Sequence, residues 1–184
     1  MNLGQMLLVV GAIAMLATLT VSVNSTILQA YVVSYDSEAT INAISIGESM
    51  IDEILTQRFD SLTAATQIVK TPNLCAPPWR LGPDRAVEKD SVHLPEIEPF
   101  RSKEIYDDVD DYNHYSRIVN TPRLGKFTVR DTVYYVNASN LDDTTKTTMQ
   151  TWYKRIVVTL SHPNLYKPIV MKSMVVFRRV LPTP

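Results

Sequence analysis

The sequence predicts an α+β fold: a long N-terminal α-helix, apolar in its first half and amphipathic in its second, packed on a small antiparallel β-sheet head. Three observations predict it. The first 35 residues carry no charged side chain. A one-sided apolar stripe at helical spacing then continues for about two dozen residues. The C-terminal part of the chain shows the period-two alternation of β-strands.

Residues 6–23 form the apolar run. Leu3, Met6, Leu7, Leu8, Val9, Val10, Ile13, Met15, Leu16, Leu19, Val21 and Val23 surround a helix with no polar side. About 20 residues at ~1.5 Å each give roughly 30 Å, the thickness of a hydrocarbon core. A cleaved secretory signal needs a basic leading region, and residues 1–5 contain neither Lys nor Arg, so the segment reads as a retained membrane span. The same lack of basic flanks leaves the positive-inside rule without an orientation to give. Gly11, Ala14 and Ala17 permit close approach of a second helix.

From Ser37 the pattern changes. Ala39, Ala43, Ile44, Gly47, Met50, Ile51, Ile54 and Leu55 recur at i, i+4, i+7 and i+11, with Phe59 and Leu62 beyond. Glu38, Asn42, Ser45, Ser49, Asp52, Glu53 and Thr56 take the opposite face. The first proline is Pro72, so nothing forces a stop before about Arg58. The polar patch Ser22-Asn24-Ser25-Thr26 is the one place where the helix could loosen. A rod of nearly 60 residues would be roughly 85 Å long, too long for an ordinary globular helix. The chain therefore divides into a helix over residues 1–58 and a globular head over 59–184.

The head begins with a proline-rich stretch, residues 60–125, with few periodic elements. It reads as an excursion packed across the sheet, because Leu74, Trp79, Leu81, Val92, Leu94, Ile97 and Phe100 call for burial. Three strands follow. Residues 126–136 place Phe127, Val129, Val133 and Tyr135 on one side. Residues 152–160 group Trp152, Ile156, Val158 and Leu160. Residues 168–180 put Ile169, Met171, Val175 and Phe177 on one face, with Lys172 and Arg178 on the other. A three- or four-stranded antiparallel meander laid on the second half of the helix buries both apolar faces.

Composition narrows the function classes. All 18 Lys and Arg and all 19 Asp and Glu lie beyond residue 35, for a net charge of −1 that gives no reason to expect nucleic acid. Cys75 is the one cysteine, which excludes an internal disulfide and a CxxC site and reads as a small apolar filler in a loop. Asp107, Asp108, Asp110 and Asp111 form the densest set of oxygen ligands and are the candidate Ca²⁺ loop. They lack the glycine and terminal glutamate of an EF-hand, and a solvated acidic loop is the competing reading. His93, His114 and His162 have no paired-ligand spacing and read as surface or capping residues. No GxSxG elbow and no Gly-rich phosphate loop occurs among the five glycines. Arg178 and Arg179 suggest a wet strand end, and the nine tyrosines suggest sheet packing.

The N-terminal sequence Met1-Asn2-Leu3-Gly4-Gln5-Met6-Leu7-Leu8-Val9-Val10, leading an apolar-then-amphipathic helix, resembles the type IV pilins and pseudopilins. Met1 stands where that family has its mature N-terminus, and Gln5 where it usually carries glutamate. In the family the carboxylate attracts the amino terminus of a neighbouring subunit. Glutamine keeps a hydrogen-bond acceptor there but lacks the charge. The family's basic leader ending in glycine does not precede Met1, so the sequence reads as a processed form or as a divergent subunit. The resemblance implies a structural subunit rather than an enzyme, with no cofactor. It implies a homo-oligomeric helical filament, an inner-membrane platform and motor for assembly, and passage from the membrane to the cell surface. Gln5, Leu7, Leu8, Val10, Ile13 and Leu16 would be the assembly positions. Two alternatives stay open: a pseudopilin of a type II secretion system working in the periplasm, and a membrane-anchored extracytoplasmic binding domain that never polymerises.

Overall fold

The structure, a computed structural model, describes residues 2–64, 71–89, 95–141 and 145–177. Its dominant element is one helix, α1 (Leu3–Leu55), of 53 residues, about 80 Å long at 1.5 Å per residue. The helix runs unbroken through the polar patch at residues 22–26, where Thr26 Oγ1 donates to the Ser22 carbonyl at 3.0 Å. It ends at Leu55 rather than near Arg58. Gln57 N–H donates to the Ile54 carbonyl (3.1 Å), tightening the last turn, and Arg58 leaves the helix to accept the Val109 N–H at 2.9 Å.

Five strands form one sheet in the order β1 (Glu96–Ile97), β2 (Ser116–Thr121), β3 (Gly125–Tyr135), β4 (Tyr153–Ser161) and β5 (Ile169–Val176). Strands β2 to β5 make the expected antiparallel meander, while the two-residue β1 lies parallel to β2. The β2–β3 hairpin turns through Gly125, whose φ of +83° favours the residue without a Cβ. On the inner face the register aligns Val129 with Leu160 and Leu160 with Ile169, then Val133 with Ile156.

The second half of α1 lies on β4 and β5. Its fully buried line is Ala39, Ala43, Gly47, Met50 and Ile54. Small residues at three of these positions bring the helix backbone close to the sheet. At Gly47 an added Cβ would lie 2.4 Å from Met171 Sδ and 2.9 Å from Leu160 Cδ1. The buried line is narrower than the stripe read from sequence, for Ile44 and Leu55 remain exposed on its flank. A single sheet covers a single side of the rod.

The excursion over residues 60–125 departs further from expectation. Trp79 is 80% exposed, and Leu74 and Ile97 are also exposed, whereas Leu81 and Phe100 are half-buried, and Val92 and Leu94 lie outside the described residues. The segment buries Tyr106, Val109, Tyr112 and Tyr115 instead. The rings of Tyr106, Tyr112 and Tyr115 meet edge to face with centroids 5.0–5.6 Å apart. A smaller cluster of Phe59, Cys75 and Tyr135, joined by Trp152 and Phe177, closes the end of the sheet.

The Gly47 contact sets a testable limit. Gly47→Val is expected to overpack the seam and to destabilise the head by about 1–3 kcal/mol, read as a lowered denaturation midpoint of the detergent-solubilised chain. An unchanged midpoint would mean that α1 is not seated on Met171 and Leu160.

Candidate functional site

The first half of α1 is exposed along its length among the described residues. The helix is long and apolar enough to cross a membrane, and none of its most apolar window is buried. Leu7, Leu8, Val10, Ile13 and Leu16 are each 61–76% exposed. Leu3, Met6, Val9, Met15 and Leu19 are exposed as well, so the isolated chain sets Leu7, Leu8, Val10, Ile13 and Leu16 apart on no distinct face. Two hydroxyls of the rod are satisfied within it: Thr18 Oγ1 donates to the Met15 carbonyl (2.9 Å) and Thr20 Oγ1 to the Leu16 carbonyl (2.8 Å). Gln5 Oε1 accepts the Asn2 backbone N–H at 3.3 Å, capping the helix start. An amide oxygen has two lone pairs, so Gln5 retains one for a neighbour.

In the acidic loop, the four aspartates do not converge on one point. Asp108 Oδ1 accepts the N–H groups of Asp110 (2.8 Å) and Asp111 (3.2 Å), and its Oδ2 accepts Ser61 N–H at 2.7 Å. Asp111 Oδ2 accepts Asp107 N–H (3.0 Å) and Asp108 N–H (3.3 Å). Asp107 pairs with Arg85 at 3.4 Å. These carboxylates fold the loop and pin it to the chain leaving α1. Of the four, Asp111 alone belongs, among the described residues, to a group of carboxylates close enough to share a cation, with Asp84 and Glu88, their oxygens within 4.8 Å of one another. Glu88 there also accepts the N–H groups of Asp84 and Arg85 and pairs with the Arg85 guanidinium. Burial, with the Asp108 charge adding to it, pushes the Asp111 carboxyl up to about 8.

Asp110 turns the other way, to Lys154 on β4. Lys154 is fully buried and in phase with Ile156, Val158 and Leu160. Its Nζ donates to Asp110 Oδ1 and to the Phe59 carbonyl (2.6 Å), and lies 3.5 Å from Asp60 Oδ2. The Phe59 ring sits 4.2 Å from the ammonium and the Tyr135 ring 5.2 Å. Burial raises the Asp110 carboxyl to about 7, against the opposing pull of Lys154. Asp110 Oδ2 has no hydrogen-bond partner among the described residues.

A second buried charge centre lies further along the sheet. Glu53 of α1, assigned to the wet face by its sequence pattern, is instead held by the buried Arg117 of β2 (Nη1–Oε2 2.8 Å), by Tyr112 OH (3.2 Å) and by Lys103 (3.6 Å). Beside them Asp131 of β3 is buried with neither carboxyl oxygen hydrogen-bonded among the described residues. Desolvation holds its carboxyl well above the usual carboxylate range, although Arg117 pulls the other way. Sequence reading missed Lys154, Asp131 and Arg117, yet a signal existed. A charge in phase with an apolar strand face, as Asp131 is with Val129 and Val133, is a buried charge needing a partner.

Cys75 is buried, and desolvation with the nearby Asp60 charge pushes its thiol up to about 12, which suits an inert filler. His162 stacks on Phe127 and bridges a turn, with Nε2 3.0 Å or less from the Leu124 carbonyl (2.9 Å) and Nδ1 accepting Asn164 N–H. His114 is exposed at φ 65°. His93, Arg178 and Arg179 lie outside the described residues.

The architecture is pilin-like: a long apolar N-terminal helix packed by its second half on an antiparallel sheet. No family model, no curated protein and no solved structure matches the chain.

The acidic loop makes stability depend on pH. The Asp111 carboxyl rises from an ordinary value of 3.8 to about 8, so the folded chain holds a proton that the unfolded chain releases between those values. The contribution of this group to stability is therefore fully present below that window and is lost as pH rises through it. Asp111→Asn, which keeps an oxygen for the two N–H groups, is expected to flatten the fall in the denaturation midpoint between pH 5 and pH 8 by the contribution of one proton. An unchanged slope would assign the dependence to another group.

Proposed function

We propose that this chain is the structural subunit of a type IV pilus-like extracellular filament, polymerising through the apolar first half of α1. One observation carries the reading: the uncovered rod is continuous with a helix seated on its own folded head. Such a subunit has two ways to cover its apolar surface. In a bilayer, lipid covers it, and a span of ~30 Å fits within the rod. Outside the bilayer, only other rods can do so, at about 25 cal/mol per Å² of apolar surface withdrawn from water.

Rod-to-rod contacts of this type join different faces of identical subunits. Where the rotation between copies does not close a ring, they propagate a helical polymer. Lipid already satisfies the isolated rod, so extraction calls for an external motor and an inner-membrane platform. Gly11, which has open space around its Cα, with Ala14 and Ala17, would allow close rod approach. Gln5, Leu7, Leu8, Val10, Ile13 and Leu16 would lie at the contacts, and the heads would tile the outside. The subunit would reside in the inner membrane before assembly and at the cell surface afterwards.

Electron microscopy of sheared cell-surface material, with mass spectrometry to identify this chain and its N-terminus, tests the reading. Thin helical fibres of this chain are expected. Ile13→Asp or Leu16→Lys should abolish them while leaving the head's near-ultraviolet circular dichroism unchanged. Fibres equally abundant in both variants, or a monodisperse detergent-solubilised monomer with no fibres in any condition, would overturn it.

A further inference from the structure

The centre around Lys154 brings an amine and a carboxyl group into contact where water is excluded. We infer that Lys154 Nζ and Asp110 Cγ form an intramolecular amide bond, with Asp60 relaying the proton. The inference depends only on the head and stands apart from the filament reading.

Four features of the site favour the bond. Lys154 is fully buried, and Asp60 and Asp110 nearly so, with each side chain supplied by a different part of the chain. The Phe59 carbonyl takes one N–H of the amine at 2.6 Å, which holds the nitrogen beside the Asp110 carboxyl. Reactants held in contact in this way gain an effective concentration of order 10⁵ M or more when aligned. Asp110 Oδ2, the oxygen not engaged by the amine, has no partner among the described residues and is the group to be lost. A cavity of about 10 Å³, bordered by Ser61, Asp84, Asp108 and Asp110, is the size of a single water and gives the product somewhere to go. Desolvation, which raises the Asp110 carboxyl to about 7, supports the same step by keeping part of the population in the neutral acid form.

The balance is simple. Within the pair, one proton passes from the ammonium to the Asp110 carboxylate, leaving a neutral amine and a neutral acid. The nitrogen lone pair attacks Cγ and a C–N bond forms. Asp60, 3.5 Å from Nζ, takes the surplus proton from nitrogen and delivers it to the departing hydroxyl. The C–O bond breaks and one water leaves. No oxidant, reductant or cofactor enters, and Asp60 ends as it began. The product exchanges two buried charges, which are costly to desolvate, for a neutral amide whose remaining N–H still donates to the Phe59 carbonyl. It also ties the loop that carries Asp110 to β4 in a chain whose single cysteine precludes an internal disulfide.

Peptide mass spectrometry of the folded full-length chain, purified in detergent and then digested under denaturing conditions, tests the inference. The expected result is a branched peptide joining Asp110 to Lys154, lighter than its two parts by one water, with no cleavage after Lys154. Lys154→Arg should release the two segments as separate peptides. Asp60→Asn should leave most chains unlinked while the head keeps its near-ultraviolet circular dichroism. Wild-type chain in which Lys154 and Asp110 are recovered wholly in separate unmodified peptides would overturn the bond. Full linkage in the Asp60→Asn chain would overturn the relay assigned to Asp60.

Discussion

The seating of α1 on β4 and β5 is the constraint from which the rest of the molecule follows. Ala39, Ala43 and Gly47 let the helix backbone approach the sheet so closely that Met171 and Leu160 fill the space a Cβ would need at Gly47. A seam of this kind resists sliding, because a one-turn shift would drive a larger side chain into the place of a small one. The lower end of the rod is fixed a second time, where Glu53 meets Arg117 and Tyr112. With half of the helix so held, the other half projects as a continuation of a folded body. Helix continuity then transmits the position of the head to the rod, and of the rod to the head.

The two buried charge centres each involve residues of separate elements. Glu53 and Arg117 join α1 to β2, with Asp131 of β3 buried within reach of their charges. Asp60, Asp110 and Lys154 join the chain leaving α1 to the acidic loop and β4. Desolvating such groups costs as much as or more than their attraction returns, so their value lies less in net stability than in selecting one arrangement. A misregistered β4 would carry Lys154 to the outer face and leave Asp110 buried without its cation. The acidic loop is therefore an internal fastening: Asp108 alone ties three backbone N–H groups, one of them Ser61, immediately beyond the helix.

Legibility in the sequence followed the periodicity. The rod, the amphipathic half and the strands β3, β4 and β5 were readable because each repeats a simple pattern over eight or more residues. Strand β2 was hidden for a physical reason: its inward positions are Arg117 and Val119, so its polar–apolar alternation is broken by the very residue that binds Glu53. The irregular stretch before it has no face to read, and apolar identity alone pointed to Trp79 and Leu74, which are exposed, over Tyr106 and Tyr112, which are buried. Glu53 was misplaced because it stands at the border of the helical stripe, where a long side chain reaches a partner that no helical wheel contains. Lys154 and Asp131 could have been found by asking which charges share a strand face with valine and isoleucine. Leu7, Leu8, Val10, Ile13 and Leu16 were legible as apolar, and the structure leaves all five exposed.

A rod that crosses a bilayer, as proposed above, has to be stable in surroundings that offer it no hydrogen bonds, and its sequence is consistent with that demand. It contains no proline and no charge before Asp36, and the hydroxyls of Thr18, Thr20 and Thr26 return their protons to carbonyls three or four residues back. Gln5 extends the same logic to the helix start. A carboxylate in that position would draw strongly on a neighbour's amino terminus, but would also be expensive to hold in hydrocarbon before any neighbour arrived. The amide lowers that cost, and by accepting the Asn2 N–H it satisfies one of the backbone donors left over at the helix end. What it gives up is attraction at a distance, since a dipole falls off faster than a charge. In the filament proposed above, a rod with glutamine at this position would rely more on the fit of its apolar surface, Leu7 through Leu16, than on an ion pair to align copies of itself.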